Sequence, residues 1–259
     1  MNSRADRLKK TIFLCVLTLG YGCIRAQLHL KDSVIQVHMI TTSYALQIPG
    51  ADMAARFGLG STVEMQYLYK TRKNWILGFS VDYLFGSQVK QKGMLDSITT
   101  PDGFLIASNG KLVDHQFLEE GFTTFLKIGK IIPKWSPNRN SGFLAMLGVG
   151  FMEEHIRINL VDGNDQIAPQ LNAEMRKGYD RLSNGIAFEQ YLGYVYLSNN
   201  RYINFFGGID ITEGLTQDRR YDYDLNAYNK TLRYDILYGI RVGWILPIYK
   251  RAPKDFYTY

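Results

Sequence analysis

From Leu232 to Ile248 the chain alternates without a break. Leu232, Tyr234, Ile236, Tyr238, Ile240, Val242, Trp244, Leu246 and Ile248 share one parity; Arg233, Asp235, Leu237, Gly239, Arg241, Gly243 and Ile245 share the other. A period of two belongs to a β-strand, whose side chains point in turn to opposite faces. The run is far longer than the typical strand of about six residues. A strand that crosses a bilayer at a tilt needs about 9–11 residues, apolar toward lipid and polar toward a lumen.

Seven more segments carry a similar pattern: Ser33 to Ile48, Gly58 to Lys70, Asn74 to Ser87, Gly121 to Ile132, Gly142 to Glu154, Ala187 to Leu197 and Tyr202 to Thr212. In the third, Trp75, Leu77, Phe79, Val81, Tyr83 and Phe85 oppose Gly78, Ser80, Asp82 and Gly86, with Ile76 and Leu84 as exceptions. The connections after the second, fourth and sixth segments are short and turn-like, and the others are longer. Eight antiparallel strands can close and remove every sheet edge from lipid. Short turns on one side and long loops on the other predict an eight-stranded antiparallel transmembrane β-barrel with periplasmic turns and extracellular loops. The aromatics agree. Tyr67, Tyr69, Trp75, Trp135, Tyr194, Tyr196, Tyr202 and Trp244 fall near the short-turn end, and Tyr83, Phe85 and Tyr234 near the other. Tyr and Trp collect at both membrane interfaces. A soluble barrel or sandwich would have to expose these aromatic stripes or bury a row of charges.

The chain opens with MNSRADRLKK, an apolar run TIFLCVLTLGYGCI, then Arg25-Ala26. A basic segment, a short apolar run and a small residue are the parts of a cleaved export signal. Residues 1–26 are expected to be that signal, residues 27–249 the barrel and residues 250–259 a periplasmic tail. The formal charge of +6 then falls to +2, because Arg4, Arg7, Lys9, Lys10 and Arg25 against Asp6 leave with the signal. The basic balance is therefore no argument for nucleic acid. Both cysteines, Cys15 and Cys23, lie in the same segment, so no disulfide or Cys-ligated metal is expected in the barrel.

The segment Arg241-Val242-Gly243-Trp244-Ile245-Leu246-Pro247-Ile248 resembles the β-signal read by the outer-membrane assembly machinery: a polar residue, x, Gly, two further residues, then apolar, x, apolar. With Gln27 after Ala26, the loop Ile48-Pro49-Gly50-Ala51-Asp52 and the tail Tyr249 to Tyr259, the chain resembles the small outer-membrane β-barrel proteins of Bacteroidota. It departs from them in a charged tail that runs past the last strand. The resemblance implies outer-membrane location, contact with outer-membrane lipids and with the assembly machinery, and leaves the activity open.

Glu64, Asp82, Lys127, Glu189, Asp210, Arg233, Asp235 and Arg241 all fall on the expected lumen face, with glycines among them. An eight-stranded barrel has an interior just wide enough for side chains to fill. Charges there must pair, because an isolated buried ion is very costly. A structural polar network is the leading reading, with a narrow ion path as the alternative. The four histidines, His29, His38, His115 and His155, show no metal-ligand spacing. His38 is expected toward the lumen, and His155 near the outer rim. A lipid-modifying enzyme would need a serine beside His155, with Ser183 from a loop as the candidate. Phe104 to Val113 reads as a hairpin turning at Asn109-Gly110, and Arg219 to Asn229 is a Tyr-rich loop suited to binding. Asp162-Gly163-Asn164-Asp165 is a faint calcium-like run, and Asp96-Ser97-Ile98 resembles a short O-glycosylation signal of Bacteroidota. In the tail, Lys250, Arg251 and Lys254 precede Phe256, Tyr257 and Tyr259, a pattern that could dock a periplasmic or outer-membrane protein partner.

No cofactor, metal or catalytic residue is expected. The leading function is a non-enzymatic barrel acting as an anchor or interaction module, an accessory subunit of an envelope or secretion assembly. An acyl-transfer or hydrolysis enzyme on lipid is the alternative, and a narrow pore the third reading.

Overall fold

The computed structural model describes residues 34–160, 169–172, 174–198, 200 and 202–248. Eight strands form one closed antiparallel barrel: β1 (Val37–Gly50), β2 (Gly60–Lys70), β3 (Trp75–Gly86), β6 (His115–Ile132), β7 (Gly142–Leu160), β8 (Ser183–Tyr196), β9 (Phe205–Asp218) and β12 (Arg233–Ile248). Each strand pairs with its neighbour in sequence, and β1 pairs with β12 to close the ring, from His38 opposite Ile248 to Gly50 opposite Ile236. Two small hairpins rise from the loops: β4 (Leu105–Ile106) with β5 (Leu112–Val113), and β10 (Tyr221–Asp222) with β11 (Ala227–Tyr228). The first turns over Ala107 to Gly110, where the Gly110 N–H donates to the Ala107 carbonyl at 2.9 Å and Gly110 takes a left-handed φ of +78°. Asn109 lacks the positive φ that a two-residue Asn-Gly turn would need, so the connection is the longer one that closes on a left-handed glycine. A single turn and a half of helix, α1 (Ala51–Arg56), follows β1.

The burial pattern follows the expected parity. Phe79, Ile240 and Val242 are exposed on the outside, while Asp82, Asp235 and Arg241 are buried inside. Trp244 lies on the outer face, its indole N–H donating to the Tyr202 carbonyl at 2.8 Å. Ile76 and Leu84, which break the alternation, are buried inside as well. The short-turn end carries an aromatic girdle. Trp135 and Tyr194 both meet the Phe143 ring edge-on, and Lys130 lies 5.1 Å over Trp75. This is the belt that amphipathic rings form at a membrane–water interface. The exterior is thus an apolar band between girdles, and the fold is a transmembrane β-barrel with short periplasmic turns and long extracellular loops.

Three expectations change. Strands β6 and β7 are longer than their apolar runs: His115 to Leu118 pair with Arg157 to Leu160 as a two-stranded ribbon beyond the end of β3. Adjacent charges at Glu119-Glu120 and Glu153-Glu154 interrupt the apolar alternation there, although the backbone ladder continues. Residues Ala51 to Arg56, read as loop, are helical; six residues are too few to display a helical period. His38 does not face the lumen. It sits outside between Tyr67 and Tyr69, with Nδ1 2.6 Å from the Tyr67 hydroxyl, because buried Val37 and Met39 take the inward parity on either side. The expected signal, the Asp162 to Asp165 run and the tail residues Lys250, Arg251, Lys254, Phe256, Tyr257 and Tyr259 lie outside the described residues.

Close strand packing makes a test of closure. A Cβ on Gly150 of β7 would lie 1.7 Å from the Thr124 carbonyl oxygen of β6. Gly150→Val is expected to destabilise the barrel by about 1–3 kcal/mol, the usual range for overpacking, and to lower the temperature at which its heat-modifiable gel band disappears. An unchanged transition would show that β6 and β7 are further apart than described.

Candidate functional site

The lumen is filled in layers. At its centre Arg241, from β12, points across the barrel. Its Nη1 is 2.7 Å from Glu64 Oε2 and 2.9 Å from Asp82 Oδ1, and its Nε is 3.1 Å from Asp210 Oδ1. Lys127, from β6, bridges Glu64 and Glu189, the latter at 2.6 Å. Four carboxyl groups thus meet two cations, and neutral donors help to make up the difference. Ser43 Oγ donates to Glu64 at 2.8 Å, Gln66 Nε2 to Glu64 at 3.0 Å, and Gln47 Nε2 to Asp210 at 3.2 Å. Glycines leave the room: Gly148 stands opposite both Lys127 and Glu189, and a Cβ on Gly239 would lie 2.6 Å from Asp210 Oδ1. All six charged groups are buried.

Apolar layers close both ends. Toward the periplasm the interior is packed with Met39, Leu68, Ile76, Ile131, Leu144, Val195 and Ile245, all buried. Toward the outside, α1 folds into the mouth. Met53 and Phe57 are fully buried against Leu84, Phe125, Met152, Ile156, Ala187 and Leu237. Arg56 pairs with Glu154 of β7 and, at 2.7 Å, with Asp235 of β12. Asp52 accepts the Tyr234 backbone N–H at 2.8 Å. The helix is a cork, held by two buried apolar side chains and one buried guanidinium.

Six of the eight charged residues expected in the lumen therefore meet in one cluster: Glu64, Asp82, Lys127, Glu189, Asp210 and Arg241. Asp235 and Arg233 face the same interior nearer the mouth. Asp235 holds Arg56 and accepts from Thr216 at 2.5 Å. Arg233 binds Asp218 and Ser183. Sequence reading missed Arg56, which sits in a helix too short to show a period, and the neutral donors Ser43, Gln47 and Gln66. Those three do lie at lumen parity in their strands, so their alternation was a usable signal.

Ser183 and His155 do not meet. Ser183 is fully buried inside, bonded to Asp218 at 2.6 Å, and stands opposite Glu154 in the ladder. His155 is the next residue along and therefore faces outward, 3.8 Å from Glu120. The Ser–His pairing that acyl transfer would require is not assembled. Among the described residues no group of three or more His, Cys, Asp or Glu side chains is placed to hold a metal.

Above the cork the loops form a packed crown. Leu95, Leu105, Ile158, Leu171 and Tyr179 make its core. Arg181 pairs with Asp224 and Arg220 with Asp180. The Tyr223 ring lies over Gly178 and meets Tyr179 edge-on. Apolar side chains remain on the outer surface: Ile106 and Leu112, a directly paired couple, are 49% and 57% exposed, and Tyr228 is 62% exposed. Asp222 is buried at the root of the β10–β11 hairpin. Its removal from water pushes its carboxyl up to about 6, helped by Asp218 and opposed by Arg181.

The fold and the filled interior define a class, the eight-stranded transmembrane β-barrel of outer-membrane type. No family model matches the sequence, and neither does any curated protein. Among solved structures it is similar to Neisserial surface protein A, with 12% identity, a TM-score of 0.38, and cover of 81% of this chain and 96% of that one. It is also similar to Ail, the attachment invasion locus protein of Yersinia pestis, with 13% identity, 81% and 97% cover and a TM-score of 0.35. The outer membrane protein OprG from Pseudomonas aeruginosa gives 11% identity, 83% and 98% cover and 0.34. Overlaps this loose carry no argument about activity, and the class rests on the barrel itself.

Two outcomes follow from these sites. Arg241→Leu leaves Glu64, Asp82 and Asp210 buried without their guanidinium, and is expected to lower unfolding stability by about 3–5 kcal/mol. Guanidinium or urea unfolding of the refolded barrel in micelles measures this; no loss would show that the cluster is hydrated. At the crown, the Asp222 carboxyl rises from 3.8 to about 6 on seating of the hairpin. Its contribution is then fully present below the lower value and lost as pH rises through the upper one. Proteolysis within the β10–β11 hairpin is expected to slow as pH falls from 7.5 to 5, and Asp222→Asn to flatten that dependence.

Proposed function

We propose that the chain is a closed, non-catalytic outer-membrane anchor of the Bacteroidota type, whose outer crown docks a protein partner as an accessory subunit of an envelope or secretion assembly. The observation that carries this reading is the filled lumen. Among the described residues, apolar layers, an ion cluster and a cork fill the lumen, which supports a function carried by the surfaces. The separation of Ser183 from His155 removes the best candidate for chemistry on lipid. The crown has its own apolar core and ion pairs, and its exposed Ile106, Leu112 and Tyr228 offer apolar and aromatic anchors of the kind that interfaces concentrate. The terminal strand would serve the assembly machinery during insertion, and the tail from Lys250 to Tyr259 would add a periplasmic contact.

Affinity purification from native outer membranes tests the reading. The expected result is a stoichiometric partner that is lost in Ile106→Ser with Leu112→Ser, while the heat-modifiable gel shift is retained. A partner lost only on deletion of Lys250 to Tyr259 would move the docking to the periplasmic side. In planar bilayers the purified barrel is expected to give no conductance steps, and regular steps would overturn the anchor in favour of a pore.

A further inference from the structure

Among the described residues, the outer face of the barrel carries a carboxamide–carboxylate pair inside its apolar band, besides the hydroxyls of Thr42 and Thr124. On β8, Gln190 lies between exposed Phe188 and Leu192; on β9, Glu213 lies between Ile211 and Leu215. Both side chains share the outward parity of their apolar neighbours. Gln190 Nε2 is 3.4 Å from Glu213 Oε1, and the Tyr234 hydroxyl also donates to Glu213. A contact of 3.4 Å is long for an N–H···O bond. The pair therefore leaves hydrogen-bonding capacity facing hydrocarbon, where water cannot supply partners. Ionisable residues on the lipid face are destabilising in proportion to depth, and within a membrane such groups mark functional contacts. Lys130 does not raise the same question, because it sits at the girdle over the Trp75 ring.

We propose that this face is the interface of a homodimer within the membrane. The pair itself selects a second copy. Its carboxamide bears two donors, and its carboxylate is an acceptor only. The two groups touch, so they lie at one depth in the bilayer. A two-fold axis along the membrane normal keeps that depth and places each Glu213 against the Gln190 of the other copy, the self-complementarity that a two-fold interface demands. Polar side chains act in this way as glue between membrane segments. A mainly apolar groove of 530 Å³ is lined by Gln190 itself together with Trp75, Lys130, Ala145, Leu192 and Ile209. Its floor is low at Ala145, which lets side chains of the second copy enter and gain van der Waals contact that loosely ordered acyl chains supply less well. This inference stands independently of the docking proposed for the crown.

Oxidative crosslinking in native membranes tests it. The chain's own Cys15 and Cys23 are replaced by alanine, and one cysteine is placed at Ile211, directly opposite Gln190 in the ladder. Ile211→Cys is expected to give a disulfide-linked band of twice the monomer mass. Met65→Cys, exposed on β2 across the barrel, is expected to give none. Adding Gln190→Leu with Glu213→Leu is expected to cut the dimer band at least tenfold while the folded gel band persists. A monomer band alone would assign the face to lipid, and a band of another mass would assign it to a different protein. A dimer that survives the double substitution would remove the polar pair from the interface. Each of these overturns the proposal. If the double variant fails to fold, the comparison of Ile211→Cys with Met65→Cys decides it.

Discussion

The guanidinium of Arg241 is the contact on which the rest of the barrel turns. From the last strand it reaches Ser43 on β1, Glu64 on β2, Asp82 on β3 and Asp210 on β9. Lys127 extends the same cluster from β6 to Glu189 on β8. Seven of the eight strands thus hold a side chain in one connected group, and β7 takes part by making room at Gly148. In a dry interior such ions interact strongly, and any member left unpaired carries a large penalty. The cluster therefore specifies register. A slip of one residue would turn every charge on that strand toward lipid, so only one alignment keeps the cations with their carboxylates.

The ion cluster is flanked at both ends by buried apolar side chains. The periplasmic half of the lumen is packed like a globular core, and the outer mouth is stopped by Met53 and Phe57. The barrel is in this sense a soluble protein turned inside out only on its exterior. Its interior pairs the six central charges with one another and fills both ends with apolar side chains, while Gln47 Oε1, Gln66 Oε1, Ser80 Oγ and Asp82 Oδ2 are buried without a hydrogen-bond partner among the described residues. The crown repeats the arrangement on a smaller scale, with an apolar core around Leu105 and Tyr179 and ion pairs around it.

Much of this was legible in the sequence, for a clear physical reason. A lipid-facing strand must show its parity at nearly every position, so the pattern from Leu232 to Ile248 could hardly mean anything else. The lumen charges were legible too, since Glu64, Asp82 and Arg241 interrupt apolar stretches at the inward parity. Ile76 and Leu84 break the alternation because they belong to the apolar layers that close the lumen at its two ends. The helix Ala51–Arg56 was not legible. Its role depends on Glu154 and Asp235, 98 and 179 residues away from Arg56, and no local pattern encodes such pairings. The upper parts of β6 and β7 were hidden for another reason: once above the membrane, a ribbon need not have an apolar face.

The cork has an implication for the order of events during assembly. It hangs from the first strand, yet one of its two ionic anchors, Asp235, and its backbone contact at Tyr234 belong to the last. Until the final strand arrives, Arg56 lacks half of its clasp and Asp52 has no amide to bind. The act that joins the chain's first and last strands into a ring is thus the same act that seats the stopper. The strand that closes the ring therefore also completes the clasp on the helix that stops its mouth.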